Sequence, residues 1–412
     1  MRRATTLLTF LATGNPTGLK FTVEHGSARA LFDFGREHAP GRAPFSLGLG
    51  PRPGRELEDL IAVGEAPRLD GVYQRGEGWD GRTSVFVSHL HLDHTALVRF
   101  LAPEVPLYYP AEMDELRSAA VGAGYLGWRK PSGTAVSDRG SVSCGNIEVE
   151  FVAVDHDLPG ATGFLIRTPD LTLAYTGDHR RHGFRPALTE RFVEAARGVD
   201  VLIQECVSLG LPADASDRLT EEAVAKGFAD LLRRVRGLVA INLYPMNRER
   251  VATFGDISRA AGRRLLLEPQ AAAVAGWRDV LTDVSEVTHD PTEYCVQLAF
   301  QSLPLLIDLD PPRGSVWVQS GGTPLGPHDP AVNVLTAWLE RFELELVNLG
   351  SSGHSFPRDL TRTVTEVAPG LVLPVHTRAP ELLESGGIPR LTPVPLRPYS
   401  GGELRSLRRV TS

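Results

Sequence analysis

The chain has 412 residues, 42% of them hydrophobic and 23% charged, with a formal net charge of −7. That length and balance describe a globular protein of two or more structural units with ample material for a core. The acidic balance speaks against a surface that is basic overall, the usual footprint of a nucleic-acid binder, and leaves room only for a local cationic groove. No apolar run approaches the roughly 18 residues of a membrane-crossing helix. The cysteines Cys144, Cys206 and Cys295 are odd in number, far apart and without a CxxC pair, which suits reduced, structural thiols in a cytoplasmic protein. Almost all positive charge is arginine; the lysines are Lys20, Lys130 and Lys226.

Residues 5–12 could imitate a short signal peptide, but a first strand running into the turn Thr13-Gly14-Asn15-Pro16 is the expected reading. Segments 19–24 and 28–34 predict a hairpin around His25-Gly26, ending at Asp33. Residues 36–56 are rich in Arg, Gly and Pro and predict a loop. Its Arg36, Arg42, Arg52 and Arg55 form either a basic rim or a solvated surface. A short helix is expected over 57–63. Then comes the stretch on which the chain turns, 84–94, S-V-F-V-S-H-L-H-L-D-H. A β-branched and aromatic run predicts a buried strand. It ends in His89, His91, Asp93 and His94, four potential metal ligands within six residues. Imidazole and carboxylate together fit several transition metals, so ligand type alone does not choose among them.

Helices are expected over 95–101 and 111–121, and a strand over 147–154 that ends at Asp155-His156-Asp157. Strands 163–167 and 171–176 predict a second hairpin, closing on Thr176-Gly177-Asp178-His179. Strand 199–204 ends at Glu205-Cys206. From 216 onward, helices and apolar strands alternate (216–236, 238–243, 263–267, 315–319, 344–349), the pattern of an α/β unit with a parallel sheet. Two turns stand out, Ser320-Gly321-Gly322 and Ser351-Ser352-Gly353-His354. Small residues let backbone N–H groups approach an anion, although a plain tight turn reads the same way. A helix over 359–368 and a strand over 371–375 lead to His376-Thr377. The tail is rich in Pro and Gly with late arginines Arg405, Arg408 and Arg409.

The H-x-H-x-D-H pattern after an apolar strand resembles the signature of the metallo-β-lactamase superfamily, and the resemblance implies its αββα sandwich. It also implies that His89, His91 and His156 hold one metal and that Asp93, His94 and His376 hold a second. Asp178, in T-G-D, would bridge the two, and Asp33 would support the site from behind. The second half, with S-S-G-H at 351–354 and P-V-H-T at 374–377, resembles the β-CASP branch, the ribonuclease J-like nucleic-acid-processing members. This implies a sandwich domain begun over 1–207, a β-CASP-like insertion over 208–345 and completion over 346–412.

The branch's roles imply a dinuclear zinc-dependent hydrolase, with manganese as the other candidate metal. A metal-bridging hydroxide would attack in line, and Asp93, His354 and Glu205 would make up the catalytic set. His354 would stabilise or protonate the leaving oxygen and Glu205 would orient it. Ser320, Gly321, Gly322, Ser351, Ser352 and Gly353 would bind substrate. His376 is characteristic of the RNA-processing members, so single-stranded RNA is the expected partner and an RNA phosphodiesterase the expected activity, endonucleolytic, 5′-exonucleolytic or both. Three departures, Cys206 after the Glu, the loop 36–56 and the lack of a further C-terminal domain, keep a small-molecule phosphoester, amide or ester as the alternative substrate. A non-catalytic subunit is a third reading, which the filled ligand positions oppose. A homodimer stays open, and no membrane association is expected.

Overall fold

The computed structural model describes residues 4–408 apart from 15–17, 37–42, 47, 77, 129–132, 211–218 and 328. Strands β1 (Leu7–Ala12), β2 (Lys20–His25), β3 (Ala28–Phe32), β4 (Thr83–Phe86), β5 (Leu107–Pro110) and β6 (Thr134–Val136) lie side by side in chain order in a first sheet. A second sheet holds β7 (Ser141–Cys144), β8 (Ile147–Ala153), β9 (Thr162–Thr168), β10 (Leu171–Tyr175) and β11 (Val201–Glu205). Next come β12 (Val239–Asn242), β13 (Arg264–Leu266), β14 (Tyr294–Gln297), β15 (Val316–Gln319) and β16 (Glu345–Asn348), a separate sheet in the order β13-β14-β12-β15-β16 with every pairing parallel. The chain then returns. β17 (Leu371–Val375) joins β11 in parallel, and β18 (Pro398–Ser400) joins β1 antiparallel.

The first two sheets face each other across an aromatic core. Phe21 stacks on Phe32 at 4.9 Å, Phe32 meets Phe164 at 5.3 Å, and Phe164 meets Phe151 at 4.9 Å. Burying each such ring stabilises by roughly 1.5–3 kcal/mol. Helices cover both outer faces. Leu57, Leu60, Leu116 and Ala120 pack on Val85 and Leu107 of the first sheet, and Phe192, Val193, Leu360 and Val364 pack on Leu202 and Val372 of the second. The result is an αββα sandwich carrying an α/β unit. That unit's sheet is sandwiched in turn, with Phe228 stacked on Phe254 at 4.0 Å on one side and Leu306, Leu335 and Leu339 on the other. Strands covered on both faces read as continuous apolar runs, as the segments 238–243 and 371–375 did.

Some expectations are corrected. Residues 95–101 do not form one helix. A single turn, Leu92–Thr95, precedes a 3₁₀ turn, Val98–Phe100. The Thr95 hydroxyl donates back to the His91 carbonyl at 2.9 Å, a side-chain bond that competes with helix continuation. In the described part of the tail, β18 leads into helix Gly401–Leu407. Residues 7–12 are an inner strand of the first sheet with Leu8 and Phe10 fully buried. In the loop 36–56, Arg36 is paired with Glu65 and Arg52 with Asp59. Arg42, like Arg409, lies outside the described residues.

Candidate metal centre

The ligand candidates sit where strands end. β10 pairs in parallel with β11, and β11 with β17. β8 runs in the direction of β10, because β9 lies antiparallel between them. All four therefore finish at one edge, and they deliver His156, Asp178, Glu205 and His376 there. β4 delivers His89 to His94 from the facing sheet. Two residues at this edge, Asp33 (φ 52°) and His376 (φ 58°), hold left-handed backbone. Such strain is typically kept at functional sites. The His376 N–H donates to the Thr13 carbonyl at 2.7 Å. A Cβ at Gly14 would come within 2.9 Å of the His376 ring, so that turn requires glycine.

Two groups of side chains converge, His89, His91, His156 and Asp178 in one, and Asp93, His94, Asp178 and His376 in the other. Within each group one ligand atom per residue lies within 4.8 Å of the others. Asp178 is common to both. Its Oδ2 lies 3.5 Å from His89 Nε2 and 3.2 Å from His94 Nε2, and its Oδ1 lies 3.2 Å from His376 Nδ1. Asp93 Oδ2 is 3.2 Å from His376 Nε2. These atoms converge in the way ligands around a cation do, and the buried His94 Nε2 and Asp178 Oδ2 make no hydrogen bond. The nitrogen and oxygen donor set fits a divalent transition metal.

The rings are fixed from behind. His94 Nδ1 is 2.8 Å from Asp33 Oδ2. Asp33 also accepts the Ser88 N–H (2.8 Å), the Ser88 hydroxyl (2.9 Å) and the Tyr175 hydroxyl (2.7 Å). His156 Nδ1 donates to the Gly353 carbonyl at 2.6 Å. Partners of this kind set the tautomer and orientation of a ligand imidazole.

The two halves differ in charge. Burial holds His89 well below its ordinary pKa and takes His156 down to about 4, so both are neutral near pH 7. Burial also opposes charge on His376, but Asp178 and Asp93 outweigh it and push the ring up to about 9. A cation entering the second half therefore displaces protons, as metal binding generally does.

His354 stands over Asp178, with its Nδ1 3.7 Å from Asp178 Oδ2 and 3.6 Å from Glu205 Oε2. Burial works against its charge, and Asp178 and Glu205 more than offset this and raise its pKa. Glu205 is fully buried and accepts the backbone N–H groups of Val207 (3.0 Å) and Ser355 (3.4 Å). On its other side His179 Nδ1 lies 3.6 Å away, a neighbour that the T-G-D-H motif alone does not reveal.

A cleft of about 1340 Å³ runs from His91, Asp93 and His354 to the carboxyl ends of the parallel strands. Gly321, Gly322, Ser351, Ser352 and Gly353 line it, and Ser320 does not. The hydroxyls of Ser320 and Ser351 are turned inward, donating to the carbonyls of Leu349 (2.6 Å) and Leu219 (2.7 Å). No described residue of the loop 36–56 reaches the cleft wall. Gly353 fits closely, since a Cβ there would lie 2.7 Å from His156 Cε1. Gly353→Ala is expected to displace that ring and lower the bound metal per chain, measurable by elemental analysis after gel filtration.

Residues 62–210 match the family described as the β-lactamase superfamily domain. The sandwich and the two ligand clusters agree with that match over residues 62–210. The chain is 25% identical over 357 residues to ribonuclease J of Pyrococcus abyssi, covering 74% of this chain and 77% of that protein. It is 27% identical over 196 residues to ribonuclease J of Sinorhizobium meliloti, covering 45% of this chain but only 33% of that protein. Among solved structures, a protein of unknown function from Enterococcus faecalis superposes with a TM-score of 0.82 at 28% identity, over 96% of this chain and all of that one. No helix among the described residues is long and apolar enough to cross a membrane.

Proposed function

We propose that this chain is a metal-dependent phosphodiesterase of the β-CASP branch that cleaves single-stranded RNA, with two zinc ions as its resident metals. The reading divides the chain into a sandwich over 1–207 and 346–412 and an inserted unit over 208–345. The observation that carries it is the sharing of Asp178 between two ligand clusters, with His354 poised above. The likeness to two proteins named ribonuclease J supports the choice of RNA.

Bound metals would supply Lewis acidity and an acidified water. His89, His91 and His156 would hold one, Asp93, His94 and His376 the other, and Asp178 both. The chain's own groups do the rest. His354 holds a proton close to the reacting phosphate and releases it to the leaving oxygen. Glu205 keeps that imidazole protonated and aimed, and is itself pinned by two backbone N–H groups. Gly321, Gly322 and Gly353 give the substrate close access to backbone on the cleft wall.

One observation favours a compact phosphoester instead. Among the described residues, the arginines that line the cleft are Arg250, Arg358 and Arg378, and Arg250 is already bonded to Glu221. Asp93, Asp157 and Glu268 line the same space. That is enough positive charge for one or two phosphates and not for a long basic track.

A single assay separates the readings. Metal-loaded protein is mixed with 5′-labelled single-stranded RNA, matching DNA and a small phosphodiester, beside His354→Ala. RNA cleavage that falls about 10²–10⁴-fold in the variant, at unchanged metal content, is expected for loss of a positioned acid. Cleavage of the small ester alone would move the assignment to the compact substrate.

A further inference from the structure

Asp155-His156-Asp157 carries two acids that the ligand clusters leave unused, and the structure treats them differently. The Asp155 carboxylate turns toward Arg180, 3.7 Å from its Nε. The Asp157 carboxylate turns toward the ligands. Its Oδ1 lies 3.3 Å from His91 Nε2 and 3.3 Å from His156 Nε2. That oxygen is shielded from solvent and makes no hydrogen bond of its own.

An accounting of ring nitrogens gives it a task. A neutral imidazole offers a metal one nitrogen and carries its proton on the other. His94 places that second nitrogen on Asp33, His156 on the Gly353 carbonyl, and His89 Nδ1 beside Ser88 Oγ at 3.0 Å. His91 is oriented the other way round. Its Nδ1 points inward, 3.1 Å from His89 Nε2 and 3.2 Å from His156 Nε2. Its Nε2 is therefore the nitrogen that must carry the proton, and Asp157 is the acceptor beside it. The fit is enforced from above. A Cβ at Gly353 would lie 2.9 Å from Asp157 Cγ, so the Ser352–His354 turn closes over this carboxylate.

The geometry points to Asp157 as a positioning residue of the metal centre. It is the carboxylate placed to take the Nε2 proton of His91 when that ring turns Nδ1 toward a cation, and it adds a negative charge to the half of the site built from three imidazoles. It is to His91 what Asp33 is to His94. The inference rests on the metal-centre reading above and adds a residue to it.

The test reads metal affinity, independent of turnover. Wild type, Asp157→Ala and Asp157→Asn are loaded with Zn²⁺ and titrated against a chromophoric chelator, with thermal melts run alongside. Wild type should hold two ions. Asp157→Ala should release one of them about 10–100-fold more readily, the usual cost of losing such a partner, and leave the other unchanged. Asp157→Asn keeps the shape and loses the charge, so it should fall between the two even if the alanine variant folds poorly. Wild-type affinity in Asp157→Asn would overturn the proposal. A wild-type chain that takes up no Zn²⁺ would bring down the metal-centre reading with it, which is a distinguishable result.

Discussion

Asp178→Ala is expected to abolish activity and, on the two-metal reading proposed above, to take bound metal from two ions per chain to fewer than one. The reason is electrostatic. Two divalent cations held about 4 Å apart would repel each other by on the order of 15 kcal/mol at an effective dielectric constant of about 20. An anion between them is what makes double occupancy tolerable, and Asp178 is the carboxylate common to both clusters. His89→Ala removes one donor from one cluster and leaves the other cluster whole. It should lose one metal and most activity while the second ion stays. Asp178→Asn keeps the volume and gives up the charge, so it isolates the electrostatic part. Elemental analysis of the purified variants, together with titration calorimetry, measures each of these. An Asp178→Ala protein that still held two tightly bound ions would mean that the two clusters do not depend on a shared carboxylate.

Much of this site was legible in the sequence because the candidate metal ligands follow apolar strands. Strand periodicity locates the end of the strand, and the residue types at that end do the rest, as at His89, His156, Asp178 and His376. The unit over β12–β16 was legible for the same reason, since strands buried on both faces read as unbroken apolar runs. What stayed hidden depends on pairings over long separations or on weak local signals. Asp157 reads as one more turn acid, and its significance comes from His91, far back in the chain. β5 and β6 are only four and three residues long and carry little periodicity. β18 was obscured by the prolines around it, although its place beside β1 shelters the first strand. Ser320 looked like a ligand-facing residue in a Gly turn. The fold uses its hydroxyl to bond β15 to β16 through the Leu349 carbonyl instead.

The least legible feature carries the second large expectation. Glu221→Ala should destabilise the protein by about 3–5 kcal/mol, the cost of breaking a buried ion pair from one side. Glu221 is 3% exposed and opens the helix Glu221–Arg234. Burial alone would raise its pKa, but Arg250 and Arg180 outweigh this and hold the carboxylate ionised. Arg250 reaches it through Nε at 3.0 Å and Nη2 at 2.6 Å, and Arg180 through Nη1 at 2.9 Å. Removing the carboxylate leaves two guanidiniums buried with their main partner gone. The same arginines hold the cleft wall. Arg250 donates to the carbonyls of Ser320 (2.6 Å) and Ser351 (2.9 Å), and Arg180 donates to that of Ser352 (3.0 Å). The turn that carries His354 is thus tied to Arg180, two residues beyond Asp178, and to the helix Arg248–Ala260 of the parallel-sheet unit. Stability and rate should come apart in a double variant. Glu221→Met with Arg250→Met replaces the pair by apolar side chains, and such swaps are often neutral or stabilising. Chemical denaturation should then show only part of the lost stability restored, because Arg180 stays buried without Glu221. The turnover rate should stay low, because the carbonyls of Ser320 and Ser351 have lost the donor that placed the turn.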